Sequence, residues 1–273
     1  FIQMKILLNN NDLNEALYNV SDLGFVPTMG SLHQGHISLI KKSLKSCDKT
    51  IVSIFVNPTQ FNKKNDYKNY PRNNKRDLSI LKKLKVNFVY LPKKDDVYFF
   101  KRKSLIKLPK KDKILCAKFR KGHFEGVIDV MDRLTDIIQP KKIFMGEKDF
   151  QQLYLVKEFI QKRYNTKIIA CKTIRDTNKL AFSSRNKLLN NIELIKAGRI
   201  SKEMILLKNK FVKSKNIKKL IFEKKKDLIN LFDIKLDYLE LRNILNLKSS
   251  NKIKDSKLFI AYSINKIRLI DNF

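Results

Sequence analysis

The sequence predicts an α/β protein, a parallel sheet covered by helices on both faces and followed by a smaller α+β domain. Three observations carry this. Over the first two-thirds of the 273 residues, short β-branched apolar runs alternate with segments of helical period. The runs are continuous rather than alternating, as expected of strands buried on both faces. After about residue 180 the order changes to two long helical stretches and then three short strands.

Taken in order, "GFVPTM" (24–29) is the first such strand. It leads into "HISLIKKSLKSC", whose Ile37, Leu39, Ile40 and Leu44 fall near one helical face. "TIVSIFV" (50–56) is a buried-strand run; "RDLSILKKLKV" leads to "NFVYL" (87–91), and "GVIDVMDRLTDII" to "KKIFM" (141–145). "FQQLYLVKEFIQKRY" leads to "KIIACKTI" (167–174). The expected division is residues 1–175 and 176–273. In the second part, Asn190 with Glu193 forms a capping-box pattern ahead of "IELIKAGRISKEMILLKNKF". "IKKLIFEKKKDLINLF" follows, then the strands "LDYLELR", "KLFIAYS" and "KIRLIDN". "KKDDVYFFKRKSLIKLPKKDK" (93–113) reads as a surface excursion.

Composition bounds the function. With 43% hydrophobic residues the chain can bury a substantial core. No apolar run reaches bilayer length and the first residues lack the order of a signal peptide, so a soluble, cytoplasmic protein is expected. Phe1 stands where an initiator methionine would, so nothing rests on the first residues. Cys47, Cys116 and Cys171 are scattered and unpaired in pattern, which fits small core residues in a reducing compartment. The formal charge of +33 invites a nucleic-acid reading. The lysines, however, are spread over nearly every segment and no nucleic-acid-binding motif is present. A solvated basic surface with small anionic ligands is therefore expected, without a specific nucleic-acid partner.

The polar signatures follow strands. His33 and His36 come after the first strand; Asn57 and Gln60 after the second, in "VNPTQF"; Gly146, Lys148 and Asp149 after the strand ending at Met145. These are carboxyl ends of strands expected to be parallel, the edge where open α/β sheets bind ligands. Ser31 and Gln34 fit the S-x-x-Q form of a capping box, which would put His33 in the first turn of a helix and His36 one turn on. A helix N-terminus with two imidazoles is a site for phosphate oxygens. Zinc is not expected, because H-x-x-H supplies two ligands and nothing nearby completes the set. His123 in "KGHFEGV" reads either as hydrogen-bonded structure or as a site residue. "SSRN" (183–186) reads either as a capping turn or as a phosphate clamp. The chain has neither a G-x-x-x-x-G-K-[ST] nor a G-x-G-x-x-G segment, so a nucleotide would be held by histidines, a lysine and a helix end.

"PTMGSLHQGH", "VSIFVNPTQF", "DYKNYPRNNKRDL", "GHFEGV", "MGEKDFQQL", "LAFSSRN", "DYLELR" and "RLIDN", in this order, resemble the pantothenate synthetase (pantoate–beta-alanine ligase) family. The resemblance implies a Rossmann-like N-terminal domain of the nucleotidylyltransferase type with a smaller C-terminal lid, and a homodimer. It implies ATP-dependent ligation of pantoate and beta-alanine through pantoyl adenylate, releasing pyrophosphate and then AMP, with magnesium accompanying ATP. By resemblance, His33 and His36 contact the phosphates, and Lys148, Ser183, Ser184 and Arg185 complete the clamp. Gly146 and Asp149 match positions that hold the ribose, Gln60 and Gln152 those that hold pantoate, with Met29 beside it and Asn57 at the pocket. Asp77 matches the position near magnesium. A nucleotidylyltransferase moving AMP or CMP to a phosphate acceptor is the rival enzyme reading, and pyrophosphate release without dependence on beta-alanine would favour it.

The chain departs from the family pattern at several positions. Cys116 and Ala117 replace an acidic residue and a glycine, and Asn178 and Lys179 replace another such pair. Phe182 stands for a common methionine, Met145 for a phenylalanine, and Thr59 for a methionine. None of these removes a residue implied to hold phosphate.

Overall fold

The computed structural model describes residues 3–62, 64–100, 106–214 and 216–273. Part of the expected surface excursion, residues 101–105, lies outside these. The chain divides into two compact units, one of Phe1–Glu147 with Gln152–Lys172, the other of Lys148–Gln151 with Thr173–Phe273.

The first unit is a six-stranded parallel sheet in the order β1-β4-β3-β2-β5-β6. Its strands are β1 (Lys5–Leu7), β2 (Leu23–Thr28), β3 (Lys49–Ile54), β4 (Phe88–Tyr90), β5 (Lys142–Gly146) and β6 (Lys167–Cys171). Helices α1 (Asn10–Leu17), α2 (Gln34–Ser46), α3 (Lys64–Lys68), α4 (Asn74–Lys83), α5 (Lys94–Val97), α6 (Cys116–Phe119), α7 (His123–Ile138) and α8 (Phe150–Arg163) fall between the strands, α8 starting in the other unit. Val26, Val52 and Phe144 are fully buried, and so are their strand neighbours Phe25, Ile51 and Ile143. Successive strand residues point to opposite faces, so both faces are covered, which is why the runs read as continuous. On one face Leu39 and Ile40 of α2 and Leu81 of α4 pack over Val26, Val52, Val89 and Phe144. Gly24 lets α2 approach β2: a Cβ there would lie 2.2 Å from Ser43 Oγ.

The strand order reverses between β2 and β5. β3 and β4 continue on one side of β2, β5 and β6 on the other. Loops leaving the carboxyl ends of β2 and β5 therefore flank a crevice, the place where such sheets receive ligands.

The second unit carries α9 (Asn191–Phe211), α10 (Ile217–Phe232) and an antiparallel sheet of β7 (Lys235–Asn243), β8 (Ser256–Ile264) and β9 (Ile267–Asn272). The Asn190–Glu193 capping box forms, each side chain accepting the other's amide at 2.9 Å. Ile200, Met204, Leu207 and Phe211 of α9 pack with Leu239, Leu258, Ile260 and Tyr262 of the sheet. Lys224 Nζ lies 2.8 Å from Glu203 Oε2, tying α10 to α9.

Candidate active site

In the loop after β2, Met29 is followed by two left-handed residues, Gly30 (φ +77) and Ser31 (φ +52). Thr28 Oγ1 donates to Ser53 O (2.7 Å) and accepts the Gly30 amide (3.1 Å), fixing the exit from the strand. The expected Ser31–Gln34 capping box does not form. The residue with extended cap geometry is His33 (φ −141, ψ 177), and its Nδ1 accepts the Gly35 amide at 3.1 Å. Ser31 cannot be the cap, because its backbone is left-handed and its amide is bonded to Asp77. An Nδ1 that accepts leaves the neutral ring's proton on Nε2. His36 follows in the first turn, and the two rings stack with centroids 4.0 Å apart. The imidazole pair thus sits on the N-terminus of α2, where backbone N–H groups and the helix dipole favour an anion.

The turn after β3 is built around Asn57, which is 1% exposed. Its Nδ2 donates to Gln60 Oε1 (3.2 Å) and Gly126 O (3.1 Å), and its Oδ1 accepts from Tyr98 OH (2.8 Å) and Thr59 Oγ1 (3.0 Å). Burial pushes the Tyr98 phenol up, so it remains a donor. With both amide hydrogens used, Asn57 holds the turn and orients Gln60. Gln60 Nε2 in turn reaches Met29 Sδ at 3.0 Å. Beside Met29 and Gly30 opens a cavity of about 270 Å³, also lined by Phe55, Tyr67 and Arg72.

His123 resolves to structure. Its Nδ1 donates to Gln60 O at 2.7 Å and its Nε2 accepts from Arg120 at 2.8 Å, since a carbonyl only accepts and a guanidinium only donates. It pins α7 under the Asn57–Gln60 turn. Gly126 allows that approach, for a Cβ there would lie 2.5 Å from Thr59 O.

Asp77, expected near magnesium, is fully buried in the first turn of α4. Oδ2 accepts the Ser31 amide at 2.7 Å and Oδ1 the Leu32 amide at 2.9 Å. A hydrated magnesium needs an open carboxylate face and room for its waters. Asp77 presents neither, and among the described residues no three His, Cys, Asp or Glu gather as a metal group. The cysteines are inert by environment: burial raises the Cys47 and Cys171 thiols, and Cys116 is buried.

Gly146 ends β5 beside Cys171 on β6, and a Cβ at Gly146 would meet nothing within 4 Å, so this edge is open. Gln152, half-buried in the first turn of α8, also belongs to the first unit. Met29, His33, His36, Asn57, Gln60, Asp77, Gly146 and Gln152 thus share one unit. Lys148, Asp149, Ser183, Ser184 and Arg185 belong to the other.

In that second unit Lys148 Nζ is 3.1 Å from Asp149 Oδ1, and its carbonyl accepts from Asn272 Nδ2 at 2.8 Å. Ser183 caps a short 3-10 turn, accepting the Arg185 amide at 3.3 Å; Ser184 is buried and Arg185 half-buried. Sequence reasoning did not find the group that supports Lys148. Arg175 takes Asp271 in a two-pronged pair at 2.6 and 2.9 Å and also donates to Asn272 O at 2.9 Å. Burial pushes the Asp271 carboxyl up while Arg175 pulls it down. The signal in "RLIDN" is an acid and an amide that directly follow the apolar Leu269 and Ile270 of the strand. Lys179 is left-handed at φ +70.

A family model described as pantoate-beta-alanine ligase matches residues 5–273. The pantothenate synthetase of Flavobacterium psychrophilum is 41% identical over 269 residues, 95% of this chain and 94% of its own length. Among solved structures, a pantothenate synthetase of Thermus thermophilus superposes with a TM-score of 0.93 at 27% identity, over 99% of each chain. The pantoate-beta-alanine ligase of Francisella tularensis, solved in complex with beta-gamma ATP and beta-alanine, gives a TM-score of 0.82 at 37% identity over 99% of this chain and 97% of that one. The chain belongs to the pantoate-beta-alanine ligase family.

Proposed function

We propose that this protein joins pantoate to beta-alanine in an ATP-dependent reaction that passes through pantoyl adenylate. The observation that carries the reading is the stacked His33–His36 pair on the N-terminus of α2, at the crevice where the strand order reverses. The Francisella relative's complex with a form of ATP and beta-alanine supports the substrates.

The chemical difficulty is electrostatic. A carboxylate must approach a triphosphate of the same sign, so the site has to neutralise phosphate charge and fix an in-line approach rather than supply a nucleophile. His33, whose ring proton is on Nε2, and His36 donate to phosphate oxygens, backed by the positive end of the α2 dipole. Lys148, Ser183, Ser184 and Arg185 complete the phosphate clamp, Gly146 and Asp149 hold the ribose, and Gln60 and Gln152 hold pantoate beside Met29. Asn57 acts through Gln60. Magnesium accompanying ATP would supply further positive charge against the phosphates, beside the charge that the histidines and Lys148 provide.

In the first step a pantoate carboxylate oxygen bonds to the α-phosphorus and the bond to the bridging oxygen breaks, so pyrophosphate leaves with the electron pair. In the second, the beta-alanine amine attacks the acyl carbon, its proton passes to solvent, and the C–O bond to the adenylate breaks to release AMP. Purified protein with ATP, magnesium and pantoate should form pyrophosphate in a single turnover only, and turn over pyrophosphate and AMP steadily only when beta-alanine is added. Production of ADP and phosphate would exclude the reading, and pyrophosphate turnover indifferent to pantoate and beta-alanine would favour nucleotidyl transfer.

A further inference from the structure

We infer that Asp77 is a positioning residue: its carboxylate sets the conformation of the Gly30–Ser31–Leu32 loop, and through it the His33–His36 pair, and it is not a magnesium ligand. The inference rests on the reading of those histidines as phosphate contacts.

The loop lies directly on the carboxylate. Two consecutive amides converge on it, Ser31 N at 2.7 Å on Oδ2 and Leu32 N at 2.9 Å on Oδ1. Successive N–H groups turned to one side form a concavity for an anion, and bonds to an ionised acceptor are the strong ones. The left-handed backbone of Gly30 favours glycine, and a Cβ there would make a tight contact of 3.0 Å with Asp77 Oδ2. Ser31 is left-handed without glycine's freedom, a conformation that persists only where the surroundings impose it. Asp77, 46 positions away in the chain, imposes it.

The constraint reaches the histidines over a short path. Leu32 is fully buried, anchored by its side chain on one side and by its bond to Asp77 on the other. The next residue is His33, which caps α2 and carries one ring of the stacked pair. Moving the loop therefore tilts the cap, the first turn and His36 together. A magnesium ion on Asp77, with the waters it keeps, would have to enter a space closed to solvent beside a carboxylate that already holds two amides.

The test uses Asp77→Asn, in which one amide hydrogen faces a backbone N–H in place of an acceptor. The chain has three histidines, so long-range proton–nitrogen spectra resolve each ring. The expected result is that the His33 and His36 nitrogens shift or broaden while His123, held by Gln60 and Arg120, stays in place and certifies the fold. In kinetics, kcat should fall at least tenfold, with the magnesium concentration for half-activation unchanged within about twofold. Unmoved His33 and His36 signals, or a tenfold rise in magnesium requirement, would overturn the inference. Should the variant not fold, hydrogen exchange in the unaltered protein decides. The Ser31 and Leu32 amides should exchange slowly and equally with or without magnesium, and acceleration by magnesium would overturn the clamp. The spectra and exchange do not depend on turnover, so they stand apart from failure of the proposed reaction.

Discussion

His33 and His36 face each other in a stack with ring centroids 4.0 Å apart, and His33 Nδ1 caps the helix that carries both. The value of the pair is as donors at a point where phosphate charge rises. His36→Ala should lower turnover by about two orders of magnitude, the size of losing one charge-stabilising donor. Steady-state AMP formation measures this, with circular dichroism to confirm an intact fold, and full activity would remove the role assigned to His36.

Gly126 faces the backbone of the Asn57–Gln60 turn. An alanine there would place its Cβ 2.5 Å from Thr59 O and 2.9 Å from Gln60 N, both main-chain atoms that cannot rotate away. Gly126→Ala should cost about 1–3 kcal/mol of stability by overpacking. It should also raise the KM for pantoate, because the turn that aims Gln60 is displaced. Urea denaturation and a pantoate titration check the two effects, and an unchanged urea midpoint would show that the turn yields freely.

Lys179 adopts φ +70 with its amide bonded to Asp176 O at 3.0 Å. A left-handed non-glycine residue costs about 1–2 kcal/mol, and glycine recovers that less its own entropy in the unfolded chain. Lys179→Gly should therefore stabilise the protein by about 0.5–1 kcal/mol. A melting temperature that falls would mean that the lysine side chain contributes more than its backbone loses.

Asp271 is buried, and the guanidinium of Arg175 is what makes its charge tolerable. Arg175→Leu should destabilise by about 3–5 kcal/mol, since one partner of a buried pair is left behind. Burial then acts with less opposition and holds the carboxyl above its ordinary 3.8. Between 3.8 and the raised folded value, the native state keeps a proton that the unfolded chain has lost, so stability falls as pH rises through that window and stays low above it. The variant's deficit against the parent protein should be larger at about pH 7.5 than at about pH 5, read from urea midpoints. Equal deficits at both would mean that Asp271 stays ionised without Arg175.

What was legible in the sequence was what depends on neighbours in the chain. β2, β3 and β5 declare themselves as continuous apolar runs because both faces of the sheet are covered, and the Asn190–Glu193 box because its partners are three residues apart. β1 escaped because Lys5–Leu7 is too short to show a period. The cap of α2 was misplaced for a physical reason: S-x-x-Q is a sound local pattern, but the Ser31 amide is claimed by Asp77 from 46 positions away. The support of Lys148 by Asn272, and of Asn272 by Arg175, joins residues 124 and 97 positions apart, which no local spacing encodes. His123 was ambiguous for the same reason, one of its partners being three residues away and the other 63.

The central claim is that pantoate's own carboxylate attacks the α-phosphorus of ATP. Pantoate labelled with oxygen-18 in its carboxylate tests it directly, by mass spectrometry of the AMP released during complete turnover with beta-alanine. The account predicts one labelled oxygen in AMP and the other in the amide carbonyl of the product. Unlabelled AMP, or label appearing in inorganic phosphate alongside ADP, would contradict it.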